Sequence, residues 1–298
     1  MNDYIVFSIG SNKQLAKDFA KFWNCQLGKL SIKRYSDGEV SIRPITDVKD
    51  RDVIIIESTA KKPHDHLFEI MLALDSFNGA QVRSILLIIP YLAYARKVRA
   101  SDPNEPIGYQ VMTKILETGN YKKLMTFDLH HPAIEKSFTK EIKNVSTTDI
   151  FSNYYKKYLK DHKIKGSEVA IISPNRSSNF RADSMRFSIN GSKKVSLERI
   201  KGDTDTIQIH GDVKDKVCII IDDIISTGNT VALSAKALYK AGAKAVLVGA
   251  THGAFAGDAI KNIKQAGVKD IAITNTIEQG AIEGVTILDI LPLIIENI

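Results

Sequence analysis

The sequence has few cysteines and lacks long apolar runs. Cys25 and Cys218 are the only cysteines in 298 residues, so we do not expect a disulfide framework and predict a reducing, cytoplasmic location. The longest apolar stretch, around Ile85–Leu92, is interrupted by Pro90 and falls short of the roughly 20 residues that a membrane span requires. The N-terminal residues lack the basic segment of a signal peptide, and we predict a strand there. A membrane partner is not expected.

Two classes of anion-binding protein are also disfavoured. The motif G-x-x-x-x-G-K-[ST] of nucleotide triphosphatases is absent. The 41 lysines and arginines exceed the 34 acidic residues by seven, but they are scattered and form only short pairs such as Lys193-Lys194. A nucleic-acid partner is therefore not predicted, and polyanionic small molecules suit this charge better.

The composition predicts a folded protein of more than one domain. Apolar residues make up 44% of the chain and charged residues 25%, which is ordinary for a globular protein with a large core. Strand and helix signals alternate throughout, which is typical of parallel sheets flanked by helices. Six apolar runs predict buried strands: DVIIIES, SILLIIPY and LMTFDLH in the first half, and EVAIISP, VCIIIDD and AVLVGATH in the second. We interpret the chain as one α/β architecture used twice, with domains at 1–144 and 145–298.

The segment Val217–Thr230 (VCIIIDDIISTGNT) carries the strongest functional signal. Its β-branched run is typical of a strand buried on both faces, and it ends in Asp222 and Asp223. The backbone N–H groups of Ser226–Thr230 should converge at the start of a helix capped by Thr230, where phosphate is favoured. The acidic pair suits sugar hydroxyls, so the pattern predicts a site for 5-phosphorylated ribose. The alternative is an acidic turn that is merely solvated.

Six motifs give the chain a resemblance to the ribose-phosphate diphosphokinase (phosphoribosyl diphosphate synthetase) family. They are KRYSDGEVSI (33–42), IPYLAYAR (89–96), NEPIG (104–108), FDLHHPAIEKSF (127–138), DDIISTGNT (222–230) and ATHGAF (250–255). The resemblance implies two tandem phosphoribosyltransferase-type domains, each a mainly parallel sheet flanked by helices. It also implies transfer of the diphosphoryl group of ATP to the 1-hydroxyl of ribose 5-phosphate, giving phosphoribosyl diphosphate and AMP.

The resemblance assigns substrate sites to particular residues. The ribose 5-phosphate site would consist of Asp222 and Asp223 for the hydroxyls, and Ser226, Thr227, Gly228, Asn229 and Thr230 for the phosphate. The ATP site would consist of Tyr35, Asp37, Glu39, Arg96, Lys97 and Arg99, with the first three reaching a neighbouring subunit. Alone, S-D-G-E is equally typical of a surface hairpin turn. The two arginines suit phosphates because their charge is permanent, but they also suit a solvated helix start.

The family's magnesium ion and mobile lid involve four further residues. By resemblance, His130 lies beside Mg²⁺, although the adjacent His131 leaves the choice of histidine open. Asn175 stands in the loop that contacts this metal. Arg199 and Lys201 match the catalytic pair of the lid, with the two cations exchanged in order; the alternative is a solvated basic turn. The family forms homo-oligomers, commonly hexamers.

Departures from the family pattern support one competing hypothesis. Lys97 replaces a usual glutamine, and Asn175 replaces a usual acid. Ser177 and Ser178 replace a pair of glycines, which predicts a strained backbone there. The loop at Asn175 and the exchanged order of Arg199 and Lys201 favour a non-catalytic paralogue that regulates an active synthetase, whereas the intact DDIISTGNT and YSDGE motifs disfavour it. A second alternative is a phosphoribosyltransferase that consumes phosphoribosyl diphosphate, but it would have no use for the predicted ATP residues.

Overall fold

The computed structural model describes residues 4–100, 102–200 and 206–298. They divide into two compact units. The first comprises the chain up to Val145 together with Thr276–Glu278 and Leu291–Ile298, and the second comprises Ser146–Asn275 and Gln279–Ile290. The domain limits of 1–144 and 145–298 stay a prediction, and the two C-terminal segments of the first unit differ from them.

A six-stranded parallel sheet organises the first unit. The strands of this unit are β1 (Tyr4–Phe7), β2 (Gln26–Leu27), β3 (Leu30–Arg34), β4 (Val40–Pro44), β5 (Asp52–Ile56), β6 (Ser84–Ile89), β7 (Lys123–Phe127) and β8 (Glu141–Val145). Its helices include α1 (Lys13–Trp23), α2 (Pro63–Gly79), α3 (Gly108–Thr118) and α4 (Pro132–Glu135). The sheet order is β2-β1-β5-β6-β7-β8, while β3 and β4 form a separate antiparallel hairpin.

The second unit contains a seven-stranded sheet. Its helices are α5 (Thr148–Asp161), α6 (Asn179–Ser188), α7 (Asn229–Lys240) and α8 (Ala259–Gln265). Its strands are β9 (Val169–Ser173), β10 (Lys193–Ile200), β11 (Thr206–His210), β12 (Val217–Ile225), β13 (Ala245–Gly253), β14 (Asp270–Thr274) and β15 (Thr286–Leu288). The order is β11-β10-β9-β12-β13-β14-β15, and only the β10–β11 pair is antiparallel. The last helix, α9 (Leu291–Glu296), belongs to the first unit.

The continuous apolar run of β12 is explained by cores on both faces of the sheet. Val217 and Ile219 pack with α5 and α6 in one apolar cluster. Cys218 and Ile220 point to the opposite face and pack with α7 and α8 in another cluster. A central parallel strand covered by helices on both sides cannot alternate apolar and polar residues. This is why the sequence signal was strong.

The strand order determines where the ligand-binding crevice of each sheet lies. In the first unit, β2 lies on one side of β1, whereas β5, β6, β7 and β8 follow one another on the other side. The direction in which strands are added therefore reverses between β1 and β5. In the second unit the same reversal lies between β9 and β12. Ligands of open α/β sheets bind beyond the carboxyl ends of the strands at such points. Among the helices of the described ranges, none is long and apolar enough to span a membrane.

Candidate functional site

The turn between β12 and α7 places a glycine with positive φ at the start of a helix. Gly228 adopts a φ of +74° immediately before α7, and a Cβ there would lie 2.7 Å from the carbonyl oxygen of Ala259. Ser226 is half-buried, and Thr227 and Asn229 are exposed around the turn. The first amides of a helix have no partner within that helix, so they and the helix dipole favour a phosphate here.

One detail of this turn was predicted wrongly. Thr230 is the second residue of α7, whereas Gly228 occupies the capping position and makes no side-chain cap. The positive φ of the turn requires glycine at the position where a hydroxyl cap would stand.

Asp222 is a buried carboxylate held by the loop that follows β9. The Ser178 hydroxyl donates to its Oδ1 at 2.6 Å, and the backbone N–H of Asp223 donates to the same oxygen at 3.0 Å. Burial, followed by the nearby charge of Asp223, raises the pKa of Asp222 to about 7. Its carboxyl oxygens can accept hydrogen bonds from sugar hydroxyls.

Arg181 supplies a buried positive charge beside the acidic pair. Its side chain is 2% exposed, and Nη1 lies 3.8 Å from Oδ1 of Asp223. The guanidinium also lies 4.4 Å from the ring centroid of Phe180, and its charge partly offsets the rise in the pKa of Asp222. The sequence analysis assigned Arg181 no role. The sequence feature that could have pointed to Arg181 is its position next to Ala182, on the side of α6 that is buried.

The loop after β9 is a regular helical turn, which corrects the expected backbone strain. Residues Arg176–Ser178 form one turn of 3₁₀ helix, and neither Ser177 nor Ser178 has a positive φ. Asn175 Oδ1 accepts from the Ser178 N–H at 3.0 Å and from the Ser177 hydroxyl at 2.5 Å. These are the contacts of a helix cap, so they do not favour Asn175 as a metal ligand, and that role stays a prediction.

Of the two predicted lid residues, Arg199 lies on β10, which pairs with β11 in an antiparallel hairpin. Arg199 is exposed near the end of β10 and pairs in register with Ile207. It lines a cavity of about 400 Å³ together with Asn229 at the start of α7 and Lys236. Arg199 therefore lies beside the turn between β12 and α7, in its own unit. Lys201 lies outside the described residues.

The predicted adenine loop is the tip of the β3–β4 hairpin. The Tyr35 N–H donates to the Glu39 carbonyl at 2.9 Å, and Gly38 has a φ of +96°. Asp37 accepts from the Glu39 N–H at 3.2 Å. The hairpin alternative is therefore correct for the backbone, and it is compatible with ligand binding because Tyr35 remains 43% exposed at the tip.

The remaining candidates of the first unit follow β6 and β7, which are adjacent in the sheet. Arg96 and Arg99 are exposed in a turn after β6 rather than at a helix start, and Lys97 forms an ion pair with Glu105. After β7, His131 Nδ1 accepts from the Ala133 N–H at 3.1 Å and caps α4. Because this bond occupies His131, the geometry favours His130 for the metal-side role, which stays a prediction.

The possible metal-ligating side chains fit a metal ion that binds together with its substrate. Within the described parts of the chain, no group of three or more histidine, cysteine or acidic side chains is arranged to hold a metal. Magnesium in phosphoryl transfer is held by few protein ligands and by substrate phosphates. The residues present therefore fit Mg²⁺ accompanying ATP, and they do not form a closed protein site.

Comparisons with known proteins agree with this description. Residues 4–119 match the model of the N-terminal domain of ribose phosphate pyrophosphokinase, and residues 172–298 match that of the phosphoribosyl synthetase-associated domain. The ribose-phosphate pyrophosphokinase of Bacillus cereus is 35% identical over 98% of this chain and 92% of its own. The enzyme of Corynebacterium ammoniagenes is 34% identical over the same shares.

A solved structure shares the fold over the whole length. The phosphoribosylpyrophosphate synthetase of Mycobacterium smegmatis superimposes with a TM-score of 0.90 at 24% identity. The match covers 99% of this chain and 97% of that one. The predicted α/β architecture is thereby confirmed.

Proposed function

The chain belongs to the ribose-phosphate pyrophosphokinase family, and we propose which of its residues carry out that family's reaction. The predicted family and activity are confirmed by relatives of that name along nearly the full length. The enzyme transfers the diphosphoryl group of ATP to the 1-hydroxyl of ribose 5-phosphate. The competing hypothesis of a non-catalytic paralogue is the less well supported one.

The sugar phosphate is proposed to bind at the start of α7. The observation that carries this assignment is the turn at Gly228, whose positive φ places Ser226–Thr230 at the start of α7, where helix amides favour a phosphate. Asp222 and Asp223 precede this turn near the end of β12 and would bind the ribose hydroxyls. Arg181 and Ser178 hold this acidic pair in place.

Diphosphoryl transfer chiefly requires that the two substrates be positioned and that the negative charge on the transferring group be stabilised. Arg199, which lies at the cavity beside Asn229, would donate its forked N–H groups to the transferring group. Lys201 is proposed to act with it. Magnesium bound to the ATP phosphates would neutralise their negative charge, with His130 as its protein-side partner.

ATP is proposed to bind between the arginines after β6 and the hairpin tip of a neighbouring copy. Tyr35 offers an exposed aromatic face for adenine, and Asp37 and Glu39 offer acceptors for its amino group. Arg96 and Arg99 would contact the phosphates. Because the hairpin tip is exposed on its own unit, we propose a homo-oligomer, a hexamer by the family pattern, in which each ATP site is completed by a neighbour.

The direct test is AMP release by purified protein given ATP, ribose 5-phosphate and magnesium. Turnover that requires all three components supports the proposal. A matched control is Asp161→Ala, which removes an exposed carboxylate at the end of α5 and should leave turnover unchanged. Absence of turnover, with ligand binding and oligomer intact, would instead establish the regulatory paralogue.

A further inference from the structure

The motif ATHGAF (250–255) contributes no residue to the sites proposed above. It forms the end of β13 and the first residues of the loop that leads to α8. Strands β12 and β13 are parallel, and their pairing ends where Ile225 lies opposite Gly253. The loop after β13 therefore begins beside the turn between β12 and α7, which is the proposed phosphate site.

Three successive N–H groups of this loop donate to the two carbonyls that precede the turn. The N–H groups of residues 254–256 donate to the carbonyls of Ile225 and Ser226 at 2.9–3.1 Å. A trans peptide group is planar, so its C=O and its N–H point in opposite directions. Since the loop fixes both carbonyls, it also fixes the directions of the Ser226 and Thr227 N–H groups, which point away from the loop.

The orientation of these two peptide groups matters for an anion. Among the turns and loops that the structure describes, neither the Ser226 nor the Thr227 N–H donates to a backbone carbonyl. Both residues precede α7, where N–H groups favour a phosphate. A carbonyl oxygen rotated into the same position would repel a phosphate, because it carries a partial negative charge. The loop therefore keeps the turn in an anion-binding conformation before any substrate binds.

The loop has an unusual backbone conformation at Phe255. Its φ is +36°, in the left-handed region that a bulky side chain disfavours. Its half-buried ring packs against the apolar cluster that includes residues of α7 and α8. A Cβ at Gly253 would lie 2.8 Å from this ring, so glycine leaves the space that the ring occupies. Strained conformations of this kind persist where surrounding contacts hold them, and they are concentrated at functional sites.

The side chain of Gln279 holds the start of this loop. Its Nε2 donates to the Gly253 carbonyl. A carbonyl can only accept, so the amide must present its NH₂ group here. Nε2 would lie 3.0 Å from a Cβ at Gly253, which shows how closely the amide lies against this backbone. Gln279 is half-buried, and none of the sites proposed above includes it.

We propose that Gln279 is a positioning residue for ribose 5-phosphate and acts through the 253–256 loop. This inference rests on the function proposed above, because it assigns the 5-phosphate to the turn before α7. Gln279 holds the Gly253 carbonyl, and residues 254–256 then hold the carbonyls of Ile225 and Ser226. The arrangement determines the affinity for the sugar phosphate, and it leaves ATP binding and the chemical step unchanged.

Gln279→Leu tests this role, because leucine occupies a similar volume and cannot donate a hydrogen bond. We expect the Kd of ribose 5-phosphate, measured by calorimetry with magnesium present, to rise about fivefold, as for the loss of roughly one hydrogen bond. The KM for ribose 5-phosphate should rise with it, while kcat and the KM for ATP stay unchanged. Asn190→Leu, which replaces an exposed carboxamide of the same unit, is the matched control and should change none of these constants.

Amide hydrogen exchange of the ligand-free proteins separates positioning from a general loss of stability. Exchange within residues 253–257 should be faster in Gln279→Leu, whereas exchange within α5 should match that of the unmodified protein. An unchanged Kd for ribose 5-phosphate in this variant, or an equal rise in the KM for ATP, would overturn the inference alone. Failure of the unmodified protein to bind ribose 5-phosphate would overturn the proposed function as well, so the two failures are distinguishable.

Discussion

Replacing Asp222 by asparagine should stabilise the ligand-free protein, and increasingly so as the pH rises. Burial and the charge of Asp223 raise the pKa of Asp222 from 3.8 to about 7, which corresponds to at most about 4 kcal/mol. The folded protein holds this proton more tightly than the unfolded chain. Ionisation of Asp222 therefore lowers the free energy of unfolding between pH 4 and pH 7.

The Asp222→Asn variant avoids that ionisation and keeps an oxygen that accepts from Ser178. Its stability advantage should grow by about 2 kcal/mol between pH 5 and pH 7 and vanish near pH 4. Urea unfolding of both proteins across this range measures the difference. Asp161→Asn, which removes an exposed carboxylate of the same unit, is the control for the loss of one acidic side chain. A constant difference at all pH values would refute the account of a buried, mutually repelling pair.

Four further predictions concern the proposed sites. Asp223→Ala should raise the KM for ribose 5-phosphate, and an unchanged KM would remove it from the sugar site. Arg199→Ala should lower kcat on the order of a hundredfold with little change in either KM, since its role is charge stabilisation in the transition state. Gly228→Ala, at a φ of +74°, should lower the melting temperature and weaken ribose 5-phosphate binding. Asp37→Ala should raise the KM for ATP alone, and an unchanged KM for ATP would remove Asp37 from the nucleotide site.

Much of the fold could be predicted because buried parallel strands are distinctive. All six apolar runs are strands, and the run at 217–221 is explained by helices on both faces. The end of β12 could not be predicted. Asp222 and Asp223 suggested that the strand stops, but it continues to Ile225 because pairing with β13 extends to Gly253. Tertiary pairing outweighs the weak strand propensity of aspartate.

The site was predicted in its main residues and missed in its supporting contacts. A sequence shows that Ser178 replaces glycine, but only the structure shows a hydroxyl that donates to Asp222 at 2.6 Å. Likewise, His130 and His131 are indistinguishable in sequence, whereas the bond from the Ala133 N–H assigns His131 to capping α4. Such assignments depend on side-chain direction, which residue spacing does not determine.

Calorimetric titration of ribose 5-phosphate, with magnesium and a non-hydrolysable ATP analogue present, tests the central claim most directly. The account predicts one sugar-phosphate site per chain, weakened in Gly228→Ala. Failure of the unmodified protein to bind this compound would contradict the assignment of the β12–α7 turn as the phosphate site.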